Sequence, residues 1–185
     1  MSMVAEGCLP AVVITGTVGV GKTTVMGAIS EVLEGQGIRD AAIDQDALRC
    51  VHPQPDGDRF GSRLGLRNLA AIWPNLREVG LGCVLVADVV EDPNQSAQYE
   101  EAMPGTTATV VRLVVPMPLI LKRLEGRETG ESLAWSQHRA PELHGIQERA
   151  GVGDVVIHVG ERSPAEVSEE ILQRMYKMGQ LISKE

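Results

Sequence analysis

The run Gly16-Thr17-Val18-Gly19-Val20-Gly21-Lys22-Thr23, followed by Thr24, has residue types and a spacing suited to holding an anion. It fits G-x-x-x-x-G-K-S/T, the phosphate-binding P-loop. The glycines let the backbone curl until several N–H groups converge on one phosphate chain. A helix starting where the loop ends adds the positive end of its dipole. Residues Gly16 to Thr24 would then contact a nucleotide such as ATP. Lys22 would reach its β- and γ-phosphates, and the Thr23 hydroxyl would hold Mg²⁺. Asp88 closes the stretch "CVLVAD". An apolar run ending in a carboxylate places a second metal-binding group, or else caps the loop that follows.

Asp44 and Asp46 form another pair with chemistry in them. Residues two apart on an extended segment point the same way. Two carboxylates beside a γ-phosphate would repel a second phosphate and suit a hydroxyl, binding it and drawing off its proton. The spacing leaves open which is the base, and Asp46 could instead cap a helix beginning near Ala47. Arg49, Arg59, Arg63 and Arg67 follow. Arg63 and Arg67, four apart, could present a positive edge to an acceptor carrying a carboxylate, sulfate or phosphate, or could pair with Asp56, Asp58 and Glu78. Trp73 in "AIWPN" either walls an acceptor pocket or sits in the core. The four histidines show no metal-ligand spacing, and His158, in an apolar strand, is expected to be buried.

Short apolar runs positioning these residues alternate with amphipathic ones. Strands are expected at Ala11–Thr15, Ala41–Asp44, Cys83–Ala87, Thr109–Val115 and Val155–Val159. Helices are expected at Lys22–Glu34, Arg59–Val79 (kinked or interrupted at Pro74), Pro93–Met103, from Pro118, and over Leu133–Ala150, weakened by Pro141 and Gly145. Residues 127–132 read as a mobile polar break. Ser163-Pro164-Ala165-Glu166 is a capping box opening the last helix. Continuous apolar strands alternating with helices specify a parallel sheet covered on both faces. Ligands on such sheets sit beyond the carboxyl ends of the strands, where the glycine loop, Asp44, Asp46 and Asp88 all fall.

The 185 residues suit one domain, and with only 3% aromatics the core must be aliphatic. A net charge of −8 argues against a nucleic-acid partner. Cys8, Cys50 and Cys83 lack paired spacing and read as reduced thiols of a cytoplasmic protein. No signal peptide or membrane-length apolar run is visible.

"GTVGVGKTT", "RLEGR" and "DVVIHVGERSPAEVSEEIL" together resemble the nucleoside-monophosphate-kinase-like group of small P-loop kinases, which includes adenylate, shikimate, gluconate and adenylylsulfate kinases and chloramphenicol phosphotransferase. The resemblance implies a three-layer α/β/α P-loop NTPase domain over residues 1–185, with a five-stranded parallel sheet and a small lid at about 127–150. "IDQDALR" is similar to the L-D-G-D-x-x-R stretch of adenylylsulfate kinases and puts Asp44, Asp46 and Arg49 on its Asp, Asp and Arg. "RLEGR" is similar to the R-I-V-G-R that opens the adenylate kinase lid, which implies Arg123 against adenine and Arg127 on phosphate. Arg162 falls where the group borders the adenine. The expected activity is transfer of the γ-phosphoryl of ATP·Mg²⁺ to a hydroxyl of a small metabolite or drug by a monomer or homodimer. A nucleoside, nucleotide or adenylylsulfate kinase, or a non-catalytic ATP-binding module, stand as alternatives. No N-K-x-D guanine-reading motif is present.

Overall fold

A computed structural model describes residues 8–181. Their order is β1 (Leu9–Thr15), α1 (Lys22–Gly35), β2 (Asp40–Asp44), α2 (Gln45–Leu48), α3 (Ser62–Glu78), β3 (Cys83–Ala87), a 3-10 turn (Pro93–Gln95) leading into α4 (Ser96–Ala102), β4 (Thr106–Val114), α5 (Met117–Glu125), α6 (Gly130–Ala150), β5 (Val155–His158) and α7 (Pro164–Lys177). The five strands form one parallel sheet in the order β2-β3-β1-β4-β5. In register, Ala11 pairs with Val84 and Ile14 with Val111.

Alternate residues of each inner strand feed opposite layers. Val12, Ile14, Leu85, Val111 and Leu113 pack with Val25, Ile29 and Leu33 of α1 and Val167 and Ile171 of α7. Ala11, Val13, Val84, Val86 and Val110 pack with Leu69 and Trp73 of α3 and Tyr99 of α4. Both faces are dry, so the inner strands read as unbroken apolar runs. Cys83 lies fully inside, and burial pushes its thiol up to about 12. No described helix is long and apolar enough to cross a membrane.

Several elements differ from the sequence reading. α3 runs uninterrupted through Pro74; the carbonyl that proline leaves unbonded belongs to Ala70, an exposed residue to which water has access. α6 spans Gly130–Ala150 through Pro141 and Gly145, which leaves only residues 127–129 of the expected polar break outside a helix. His158 is exposed, because β5 is an edge strand and its last residue turns outward. α2 starts at Gln45, so the capping carboxylate is Asp44, not Asp46.

The capping box of α7 is present in full: Ser163 Oγ accepts from the Glu166 N–H, and the Ser163 N–H donates to Glu166 Oε2 at 2.8 Å. Ser163→Ala should cost about 1 kcal/mol and lower Tm by about 2–4 °C in a calorimetric scan.

Candidate active site

The P-loop follows β1 at the centre of the sheet. Gly16 has φ +144°, and a Cβ there would stand 2.6 Å from the Leu113 carbonyl oxygen. Only glycine lets the chain turn so close to β4. Gly21 is the N-cap of α1 and supplies no side-chain acceptor, so the first-turn amides are left for a ligand. Lys22 is half-buried and its ammonium donates to the carbonyls of Gly16 (3.2 Å) and Thr17 (3.4 Å). Burial pushes it below the ordinary lysine value, while Asp46, Asp88 and Asp44 pull the other way. All three carboxylates singled out in the sequence therefore gather around this lysine.

They are not equivalent. Asp44 is fully engaged: Oδ1 accepts from the Asp46 N–H at 3.0 Å, and Oδ2 from Thr23 Oγ1 at 3.2 Å. The Asp46 side chain is 74% exposed and uses Oδ1 alone, toward Arg49. Asp88 is 6% exposed. It accepts from Tyr99 Oη (2.7 Å) and the Val89 N–H (2.7 Å), and pairs with Arg49 Nη1 at 3.0 Å. Burial raises its carboxyl above the usual range, against the opposing pull of Arg49 and Tyr99. Burial and Asp88 together push the Tyr99 phenol well up, which keeps it a donor. Burial works against the Arg49 cation, but Asp88 and Asp46 more than offset it. Arg49, read from sequence as an acceptor-binding group, is thus the counter-ion joining two of the three carboxylates.

The donor set suits magnesium. The Thr23 hydroxyl, bonded to Asp44, and Asp88 beside the neighbouring Lys22 offer hard oxygens, and Mg²⁺ takes one or two carboxylates together with substrate phosphates. No cluster of three protein ligands occurs among the described residues, and such a phosphate-shared ion needs none.

A cavity of about 810 Å³ opens over the loop; its lining includes Lys22, Thr23, Asp46, Arg49 and Arg127 as well as Arg59, Phe60, Trp135 and Arg139. The Arg59 and Arg139 guanidiniums lie 5.1 and 4.9 Å from the Phe60 ring centroid. Arg139 is also held by Glu91 and by Glu142, at 2.9 Å. Cys50 and His52 complete the wall beside Arg49. A second hollow of about 300 Å³ is bounded by Gly19, Gly21, Thr24, Arg123 and Arg162. Arg123 Nη1 donates to the Val20 carbonyl (3.2 Å), and Glu170 pins Arg162 at 2.5 Å. Arg127 borders both cavities.

Helix α6 ties these parts together. Thr17 Oγ1 donates to the Ala140 carbonyl (2.8 Å), and Gln147 Nε2 donates to the Val90 carbonyl (2.8 Å) just beyond β3. Ser136, Arg139, Ala140, Leu143 and Gln147 of this helix are all buried.

Three sequence-derived candidates fall elsewhere. The buried stripe of α3 is Gly65–Leu69–Trp73, four residues apart, which turns Arg63 and Arg67 outward. Arg63 donates to the Gly57 carbonyl, and neither residue lines the cleft. Trp73 is 3% exposed, and its indole donates to the Pro104 carbonyl (3.2 Å) below the start of β4, at the opposite end of the sheet from the loop. Conversely, Tyr99, Phe60, Trp135 and Arg139 were not singled out from sequence. The only signal for the last two was their four-residue spacing, continued by Leu143, along one helix face.

This is the fold of the small P-loop kinases of the nucleoside-monophosphate-kinase-like group. The chain is similar to a tunicamycin resistance protein of Deinococcus radiodurans (TM-score 0.61, 22% identity, covering 90% of this chain and 95% of that one). It is also similar to shikimate kinase from Acinetobacter baumannii in complex with shikimate (TM-score 0.58, 21% identity, covering 92% and 95%). A gluconokinase from Sinorhizobium meliloti 1021 gives a TM-score of 0.62 at 23% identity, covering 91% and 93%. No protein-family profile matches the sequence, and no curated protein sequence matches it.

Two substitutions test the architecture of the site. Gly16→Ala combines a positive φ with a backbone clash and should cost about 2–4 kcal/mol in urea unfolding. Tyr99→Phe leaves the shape intact but removes a donor from a buried carboxylate, and should cost about 1.5–3 kcal/mol in the same assay.

Proposed function

We propose that this protein is an ATP-dependent phosphotransferase acting on a hydroxyl of a small molecule that also carries an anionic group. One observation carries the reading: Asp46, with a carboxylate oxygen that has no protein partner among the described residues, lines the same cavity as Lys22, Thr23 and Arg127. A base and a phosphate-binding apparatus facing one space are what transfer to a hydroxyl requires.

In this scheme the loop amides and Lys22 hold the β- and γ-phosphates of ATP. The adenosine side lies toward Arg123 and Arg162, and Arg127, between the two cavities, steadies the moving group. Thr23, with Asp44 and Asp88 behind it, would hold Mg²⁺, which neutralises phosphate oxygens. Asp44 acts by fixing Thr23 and the start of α2. The acceptor oxygen bonds to the γ-phosphorus as the bond from that phosphorus to the bridging oxygen breaks. ADP departs with that electron pair, and the hydroxyl proton passes to the Asp46 carboxylate. Positioning and charge stabilisation supply most of the rate, with the base adding its own share.

Arg59 and Arg139, both held against the cleft's phenylalanine, would take the acceptor's anionic group. The shikimate kinase and gluconokinase that share the fold are named for hydroxy-acid substrates, and this agrees with the reading. A nucleotide or adenylylsulfate acceptor fits less well. It would bring a further phosphate toward the Asp44 and Asp46 carboxylates.

Asp46→Asn should lower kcat by about 10²–10⁴-fold while leaving ATP affinity within about threefold. Lys22→Ala should abolish the calorimetric heat of Mg·ATP binding. Transfer by Asp46→Asn at the parent rate would remove Asp46 from the mechanism.

A further inference from the structure

The chain has five aromatic residues, one Phe, two Trp and two Tyr. Trp73 and Tyr99 are 3% exposed and belong to the core, and Tyr176 is tied to Gln36 at the surface. The remaining two, Phe60 (38% exposed) and Trp135 (49% exposed), both line the 810 Å³ cavity. A protein this poor in aromatics has placed two of five where they meet solvent inside the cleft.

Phe60 is already occupied by the two guanidiniums. Trp135 is not. Among the described residues no hydrogen bond, ring contact or guanidinium involves its indole. It stands one turn before Arg139 and two before Leu143, and all three line the cavity. This face of α6 therefore runs aromatic, cationic, aliphatic. Arg139 is fixed by Phe60, Glu91 and Glu142, and Ala140 next to it by Thr17, so the face is rigidly seated at its middle. Val18 and Val89 add apolar wall beside the loop. The cavity of about 810 Å³ would be shared between the phosphates at Lys22 and Thr23 and the acceptor. A polyol would find partners among polar lining residues such as Gln54, Ser62 and Gln95, but would leave the apolar area of the indole uncovered. A flat unsaturated ring would cover the indole and recover its apolar area.

We propose that the acceptor has an aromatic body that lies on Trp135, with its hydroxyl at Asp46 and its anionic group toward Arg59 and Arg139. This rests on the phosphotransferase reading above and narrows it from any hydroxy acid to an aromatic one.

The test uses the full-length protein saturated with ADP and Mg²⁺. The probes are 4-(hydroxymethyl)benzoate and mandelate, which are aromatic hydroxy acids, and gluconate, a polyol acid of the same charge. The aromatic probes should quench tryptophan emission in the parent and not in Trp135→Phe, whose remaining indole is the buried Trp73; gluconate should quench neither. With ATP, ADP release should follow the aromatic probes, with KM raised about tenfold or more by Trp135→Ala. The ring of Trp135→Phe should restore KM to within about threefold. Circular dichroism of both variants should match the parent, because the side chain is half-exposed. Turnover of gluconate with the same KM in parent and Trp135→Ala, together with no response to the aromatic probes, would overturn the substrate class and leave the kinase reading standing. Mg·ATP binding with no ADP release from any probe and no quenching would overturn both.

Discussion

The close approach of Gly16 to the Leu113 carbonyl is the constraint on which the site is built. It lets β1 end and the phosphate loop begin without a gap between β1 and β4. From that fixed point the loop delivers Lys22 to the start of α1, and the side chains on either side of the glycine become fasteners. Thr15 Oγ1 accepts from the Val90 N–H at 2.8 Å and so ties the loop's root to the segment after β3. Thr17 ties its middle to α6. The loop's conformational freedom is thus spent before any ligand arrives, which lowers the entropy that binding must overcome.

A protein with a net charge of −8 assembles a cleft with arginines on several sides. It does so by pairing inward. Arg49 lies between Asp46 and Asp88, and Arg139 between Glu91 and Glu142. Each such arginine is held by carboxylates on its own side and directed by them, so its position does not depend on a flexible stem. The buried Arg49–Asp88 pair contributes little net stability but fixes geometry at the site, since removing one partner strands the other's charge.

The sequence made legible what depends on local chemistry. The glycine pattern located the loop, the apolar runs located the five strands, and Ser163-Pro164-Ala165-Glu166 located the start of α7. It also brought Asp44, Asp46 and Asp88 to one place, because strand ends in a parallel sheet share an edge. What it could not show was how side chains pair across the fold. Tyr99 reaches Asp88 from α4, a helix whose own sequence gives no reason for it. Arg63 and Arg67 had the right spacing, but the helix rotation that buries Leu69 and Trp73 turned them to solvent. Trp73 itself was a choice between core and pocket, and packing over the far end of the sheet decided for core. α6 tolerated Pro141 because its buried stripe and its bonds to Thr17 and Val90 outweigh one missing helical hydrogen bond.

The three cysteines occupy three different environments, and this gives the cleft a reporter of its own. Cys83 is sealed in the sheet with its thiol pushed to about 12, so it offers almost no thiolate to an alkylating reagent at neutral pH. Cys8, only half-exposed, stands at the entry to β1. Cys50 is exposed and forms part of the cavity wall beside Arg49. With Cys8 replaced by serine, maleimide labelling at Cys50 reads whether the cavity is filled, with Cys83 silent throughout, and a spin label or fluorophore can be placed there without engineering a new thiol.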